Sequence, residues 1–312
     1  MRYLTARDLG TPPASAGALA ALREAALSWA PLQQVLALQH ADGSFAARGN
    51  PSDARRTFWA LLLMQRCGLD ISDEPAARAV EYLNRRHRAA GAVSYNGGGS
   101  GVLPCYLGVV TTALIKMGAG GTELVESSLR WLTGHQRFDH KTARAGGDEP
   151  WPYRAPVNYG CWESVSCYHG VAGAFRALAA VPPGQRTPEI RQRLDEALGY
   201  LRIHRLYRTA RTGRPLFRHM TQPFLIGDYR SGLLDMLQGI ADADPALARQ
   251  DWVRDALADM RELAPDGRVI LARNYGRKLI DPVPFEPLGE PSRFLTCQWT
   301  LIQRTFSAEA PS

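Results

Sequence analysis

Apolar positions recur at helical spacing along most of the chain, in blocks of two alternating kinds. Blocks of the first kind carry an apolar stripe and end in polar or basic residues: Gln39-His40, Arg85-Arg86-His87, His135-Gln136 and His204-Arg205. Blocks of the second kind are rich in Ala, Gly, Leu and Thr and are apolar on most sides. A helix that is apolar all round has no face for water and is buried. The alternation therefore predicts about five helix pairs, the first helix of each outside and the second inside, with a repeat of roughly 45 to 65 residues. Punctuation supports this reading. A second helix over Thr57 to Cys67 ends at Gly68, and Asp42-Gly43 and Asp266-Gly267 are turns. Strand signals are poor. Ala92-Val-Ser-Tyr and Arg268-Val-Ile-Leu-Ala are short and lie in loops.

The 312 residues are 45% hydrophobic, enough to bury a large core and to exclude disorder over most of the length. A repeat fold of this size reads as one unit over 1–312, with about 1–30 as an N-terminal extension or helix and 306–312 as a frayed tail. No stretch reaches about 18 uninterrupted apolar residues, so no membrane span is expected. Asp8, Pro12 and Pro13 interrupt the N-terminus before any long apolar run, so no signal peptide is read and a cytoplasmic location is expected. Five cysteines are too few for a disulfide scaffold, and clustered cysteines in a reducing compartment suggest metal ligands or nucleophiles. The net charge is +7 and nearly all the cations are arginine, with lysine only at 116, 141 and 278. Arginine favours planar contacts to carboxylates and phosphates. There is no dense basic run with interleaved aromatics, so nucleic acid is disfavoured; a small anionic substrate or an acidic carrier fits the charge.

The unit "helix, Asp-Gly turn, Thr-x-x-Ala-Leu helix, Gly" resembles the α/α-toroid superfamily, which includes squalene–hopene-type terpene cyclases and protein prenyltransferase β subunits. The likeness runs over about residues 30–305. Pro150-Trp-Pro-Tyr153, Gly160-Cys-Trp162, Ser166-Cys-Tyr168 and Leu103-Pro-Cys-Tyr106 resemble a bacterial prenyltransferase-like or cyclase-like group with a PWPY…GCW…HTCY stretch and an upstream PC-x-x-G. The resemblance implies an α/α barrel with a central cavity. Toroidal lanthionine cyclases hold zinc through two cysteines and a histidine at the barrel mouth, and Cys167-Tyr-His-Gly170 echoes their pattern loosely.

Cys105, Cys161, Cys167 and His169 all fall near the starts of inner helices of neighbouring repeats, which meet at one rim of a toroid. A helix N-terminus favours the thiolate, the form that binds metal. Three thiolates and an imidazole make a tetrahedral Zn2+ set. Cys167 and His169 are two apart, so they share an ion only if their helix starts late or is distorted. The resembled group has a histidine where this chain has Val165, so the fourth ligand is open among His169, His135, His219 and Asp228, with His169 favoured. Core packing is the rival reading for the three rim cysteines and the leading one for Cys67 and Cys297.

Around the rim, Trp151, Tyr153, Arg154, Tyr159, Trp162 and Arg230 are candidate pocket residues, and Asp228, Glu163 and His219 are candidate proton-transfer groups; Asp228 also reads as a helix N-cap. There is no DDxxD run for a diphosphate and no DxDD run for protonating a polyene, and P-loop, GxGxxG and GxSxG motifs are absent. The leading expectation is a zinc-dependent prenyltransferase-like or terpene-cyclase-like enzyme. It would act on a small or lipid-like substrate in the barrel, the metal activating a thiolate, water or carbonyl. The alternative is a non-catalytic ligand-binding toroid with a structural zinc.

Overall fold

The structure, a computed structural model, describes residues 2–10, 14–45, 54–139, 166–275 and 285–308. Its helices are α1 (Arg2–Leu9), α2 (Ala16–Leu27), α3 (Ala30–Leu36), α4 (Arg55–Cys67), α5 (Glu74–Arg86), α6 (Pro104–Leu114), α7 (Glu123–His135), α8 (Tyr168–Ala180), α9 (Pro188–Ile203), α10 (Leu233–Ala243), α11 (Asp251–Leu263) and α12 (Arg293–Ala308). They form an all-α toroid of five hairpins, α3–α4 through α11–α12. Strand is confined, among the described residues, to a two-residue hairpin, β1 (Arg88–Ala89) with β2 (Ala92–Val93), and isolated bridges. No described helix is long and apolar enough to cross a membrane.

The second helix of each pair is inside, as its composition predicts. Each inner helix packs on the next, α4 on α6, α6 on α8, α8 on α10 and α10 on α12. A side-chain hydrogen bond from Arg66 on α4 to Gln298 on α12 closes the ring. Every residue of α6 is buried, and α8 is nearly as enclosed. The outer helices are one-sided. In α5, Ala76, Ala79, Tyr82 and Leu83 face in, while Glu81 and Arg85 form an exposed i,i+4 pair.

The contact between α6 and α8 is backbone-close. A Cβ on Gly108 would lie 2.1 Å from the Gly173 carbonyl carbon, and one on Gly173 would meet the Pro104 and Cys105 carbonyl oxygens at 2.9 Å. Only glycine fits at both places. Lower down, the buried Arg186 guanidinium ties α8 to α10. It donates to the carbonyls of Ala179 (2.9 Å), Val181 (2.8 Å), Asp242 (2.7 Å) and Ala243 (2.8 Å). Those carbonyls end their helices without helical partners and carry the negative end of the dipole, so one planar cation satisfies both termini.

The turns obey their sequence signals. Gly68 caps α4 at φ +85°, and Gly43 and Gly267 sit at +91° and +78° with Asp42 and Asp266 accepting from the backbone two residues on. Helices α1 and α2 supply the N-terminal helical segment, α1 lying over the end of α4, where Tyr3 and Leu4 abut Gly68.

Candidate functional site: a charged central cavity and an aromatic rim

The ring encloses a cavity of about 390 Å3 lined by all five inner helices and by α1. Its wall is charged. Asp235 on α10 is at the centre of a network: Oδ1 accepts from Arg66 at 2.9 Å and lies 3.6 Å from Arg176 of α8, while Oδ2 accepts from the Gly232 N–H at 3.1 Å and so caps α10. Arg176 also donates to Ser231 Oγ at 3.0 Å. Burial pulls the Arg66 guanidinium below its ordinary value; Asp235 opposes that shift and Arg176 adds to it. Two turns along α10, Asp242 pairs with Lys116 at 2.6 Å. Arg7 and Asp8 of α1 pair at the cavity's edge.

Arg230, in the loop before α10, lines the same cavity. Its guanidinium carbon lies 4.3 Å from the ring centre of Tyr229 and 4.6 Å from that of Tyr275, and no carboxylate pairs with it among the described residues. Among the described residues the lining thus has five cations, Arg7, Arg66, Lys116, Arg176 and Arg230, against three carboxylates, Asp8, Asp235 and Asp242. After the two local pairs are set aside, three guanidiniums face one carboxylate.

Beyond Arg230 lies a rim where several sequence candidates do gather. Cys167 is the N-cap of α8 and His169 is in its first turn, so this helix starts late, as a shared site would need. The His169 ring stacks on Phe217 (4.4 Å between centres) and on His219 (5.3 Å), with Tyr229 edge-on at 5.3 Å. His169 Nδ1 and His219 Nε2 are buried and have no hydrogen-bond partner among the described residues. Burial first, then neighbouring positive charge, pushes both imidazoles down to about 4. For His169 the charges are His219 and Arg230; for His219 it is Arg230, with Asp235 opposing.

Asp228 is not a helix cap. It lies in the loop ahead of Gly232, the N-cap of α10, at φ +61°, a strained setting for a residue with a Cβ. It accepts a hydrogen bond from Tyr106 Oη at 3.0 Å, and burial followed by this carboxylate pushes the Tyr106 phenol up. Cys105 is buried in the first turn of α6 beside Tyr106. Among the other cysteines, Cys67 is buried with its thiol pushed up to about 12, and Cys297 is a buried thiol on the cavity wall, also raised by burial. His135 ends the outer helix α7, stacked on Trp131. Cys161, Glu163, Trp151, Tyr153, Arg154, Tyr159 and Trp162 lie outside the described residues.

A zinc site needs converging ligands. Among the described residues no three His, Cys, Asp or Glu side chains come together closely enough to hold an ion, and Cys161 lies outside them. The described part of the set does not by itself make such a site.

The cavity residues Arg66, Lys116, Arg176, Asp235, Asp242 and Gln298 escape a reading by motif. One signal does point to them. Arg176 and Asp235 are charges inside otherwise apolar helices, and an inner helix of a ring has only the cavity in which to place a charge.

No family model matches the chain, and no curated protein matches it. Among solved structures it is similar to a polysaccharide lyase, at 14% identity and a TM-score of 0.49, over 99% of this chain and 90% of that one. That likeness is one of overall form and does not bear on the chemistry of the site. The expectation of zinc-dependent prenyltransferase-like or cyclase-like chemistry, with its structural-zinc alternative, is corrected. Among the described residues no group of His, Cys, Asp or Glu converges to hold an ion. The cavity wall supplies the physical reason. A prenyl or polyene chain filling it would strip water from Arg66, Arg176, Arg230 and Asp235 and return no hydrogen bond.

Proposed function

We propose that the toroid takes a small, water-soluble anion into its central cavity. The observation that supports this most directly is the charge imbalance there: Arg66 and Arg176 share the carboxylate of Asp235, and Arg230 has no carboxylate partner among the described residues. Cations held in a partly dry cavity bind anions far better than cations on an open surface, because the local dielectric is low and the donors are fixed in advance. The apolar fraction of the wall, including Leu62, Val109, Ala113 and Leu301, suits a short carbon skeleton beside the charged group.

The test is isothermal titration of the full chain with inorganic phosphate and with small carboxylates, alongside neutral amides of the same shape. Saturable binding near one anion per chain, absent for the amides and weakened at least about tenfold in Arg176→Gln, is the expected result; tenfold corresponds to about 1.4 kcal/mol. Equal binding of the amides, or none by any anion, overturns the proposal.

A second reading adds proton transfer at the rim. It is supported by the strained Asp228 and by two imidazoles that are neutral at pH 7, each with a nitrogen that has no hydrogen-bond partner among the described residues. A neutral imidazole is in the protonation state that accepts a proton. The readout is exchange of solvent deuterium into a bound carboxylate ligand, fast with wild type and lost in His219→Gln; exchange at the same rate in both leaves the cavity as a binding site alone.

A further inference from the structure

The three guanidiniums are not equivalent, and their arrangement says more about the ligand than that it is negative. Arg66 and Arg176 are built into the α4–α8–α10 network around Asp235, which leaves one uncompensated positive charge there. Arg230 stands apart from that carboxylate. It lies against the faces of Tyr229 and Tyr275, a setting that holds a guanidinium without using its in-plane N–H groups, which are the ones that grip a carboxylate or a phosphate. The two positions adjoin each other. Arg176 donates to the hydroxyl of Ser231, the residue next to Arg230, and both arginines line the one cavity. His219, close enough to both Arg230 and Asp235 to feel each charge, is neutral and adds no third positive charge at pH 7.

From this we infer that the ligand is a dianion: one negative charge meets the Arg66–Arg176 pair and the second meets Arg230. This rests on the anionic-ligand reading above and narrows it to a class, a short dicarboxylate or a compound whose two charges sit on one phosphoryl group. A single carboxylate would leave one guanidinium of the cavity uncompensated; a dianion neutralises the surplus of two. The adjacency of Arg230 and Ser231 in the chain, with Arg176 bonded to Ser231, favours a short spacing between the two anionic groups.

The experiment titrates the full chain at pH 7.5 in low-chloride buffer with four probes: succinate, butyrate, inorganic phosphate and succinamide. Succinate or phosphate is expected to bind at least about tenfold more tightly than butyrate, with succinamide silent. The better of the two dianions tells whether the charges are carried on two carboxylates or on one phosphoryl group, and either supports the inference. In Arg230→Gln the dianion should fall to the affinity of butyrate, while butyrate itself changes by less than about twofold. Arg230→Lys, which keeps the charge, should keep most of the preference and guards against a folding defect in the glutamine variant. Equal affinity of the dianions and butyrate in wild type overturns the dianion and leaves the anion reading standing. Failure of all three anions overturns both. A dianion preference that survives Arg230→Gln overturns the assignment of the second charge to Arg230.

Discussion

Arg66 and Arg176, from helices α4 and α8, converge on a single oxygen, Asp235 Oδ1, at 2.9 and 3.6 Å. The carboxylate is 8% exposed and its other oxygen caps α10, so both of its oxygens are engaged. Removing it leaves two enclosed guanidiniums facing each other without compensation. Asp235→Asn is therefore expected to lower stability by about 3 kcal/mol, within the range for breaking a buried pair by deleting one partner. In urea denaturation followed by circular dichroism, tens of millimolar phosphate should return part of that loss, because an external anion takes the place of the missing one. A variant as stable as wild type would show that the network does not hold the ring.

Gly108 and Gly173 set the distance between α6 and α8. Gly108→Ala drives a methyl group into the opposite backbone, and backbone has no rotamer with which to yield. The expected cost is about 3 kcal/mol or more. Gly134, in the exposed face of α7 with nothing within 4 Å of its missing Cβ, is the matched control. Alanine there should stabilise by roughly 0.5–1 kcal/mol through helix propensity. Thermal melts of the two variants should move in opposite directions.

Arg186 holds four carbonyls at the ends of α8 and α10 with one planar group. Lysine keeps the charge but offers a single ammonium that cannot span the fork. Arg186→Lys should cost about 2 kcal/mol, the worth of one or two charged hydrogen bonds in a buried setting. Hydrogen exchange is the sharper readout: the last turns of α8 and α10 should lose protection together, ahead of the rest of the ring.

The stacked imidazoles predict an acid-side loss of stability. Unfolded, each titrates near 6.5; folded, each is held down at about 4 by burial and by nearby positive charge. Between those values the unfolded chain binds protons that the folded chain refuses. Their contribution is thus whole above about pH 6.5, falls as the pH drops toward 4, and levels off below it. The double variant His169→Gln/His219→Gln should show a shallower decline over that window than wild type. Imidazole resonances in NMR should titrate near 4 for both residues, and a midpoint near 6.5 for either would contradict the burial of the pair.

The layered helical ring was legible because its causes are local. Stripes on α5 and α11, all-round apolar sequence on α6 and α8, and Asp-Gly turns at 42 and 266 each follow from short-range rules. The gathering of Cys105, Cys167, His169, His219, Asp228 and Arg230 near one rim was legible for a related reason, since all of them precede or open inner helices. The cavity was not. Arg66 and Asp235 are 169 positions apart, and nothing in either neighbourhood announces the other. Most arginines of a folded chain are solvated, and which ones are exceptions is set by ring closure, a property of the whole fold. The expected hydrocarbon substrate failed on the same ground. A family likeness describes the barrel, whereas the polarity of its lumen is decided by a few side chains such as Arg176 and Asp235 that repeat patterns do not constrain.

The most direct test of the central claim is anomalous diffraction from crystals soaked in selenate, an anion that resembles phosphate and can be located by its selenium. The account predicts a selenium peak inside the ring, within hydrogen-bonding reach of Arg176 or Arg230, and its loss in Arg176→Gln/Arg230→Gln crystals of the same form. Selenium confined to the outer surface, with an ordered apolar molecule or bare water in the cavity, would contradict it.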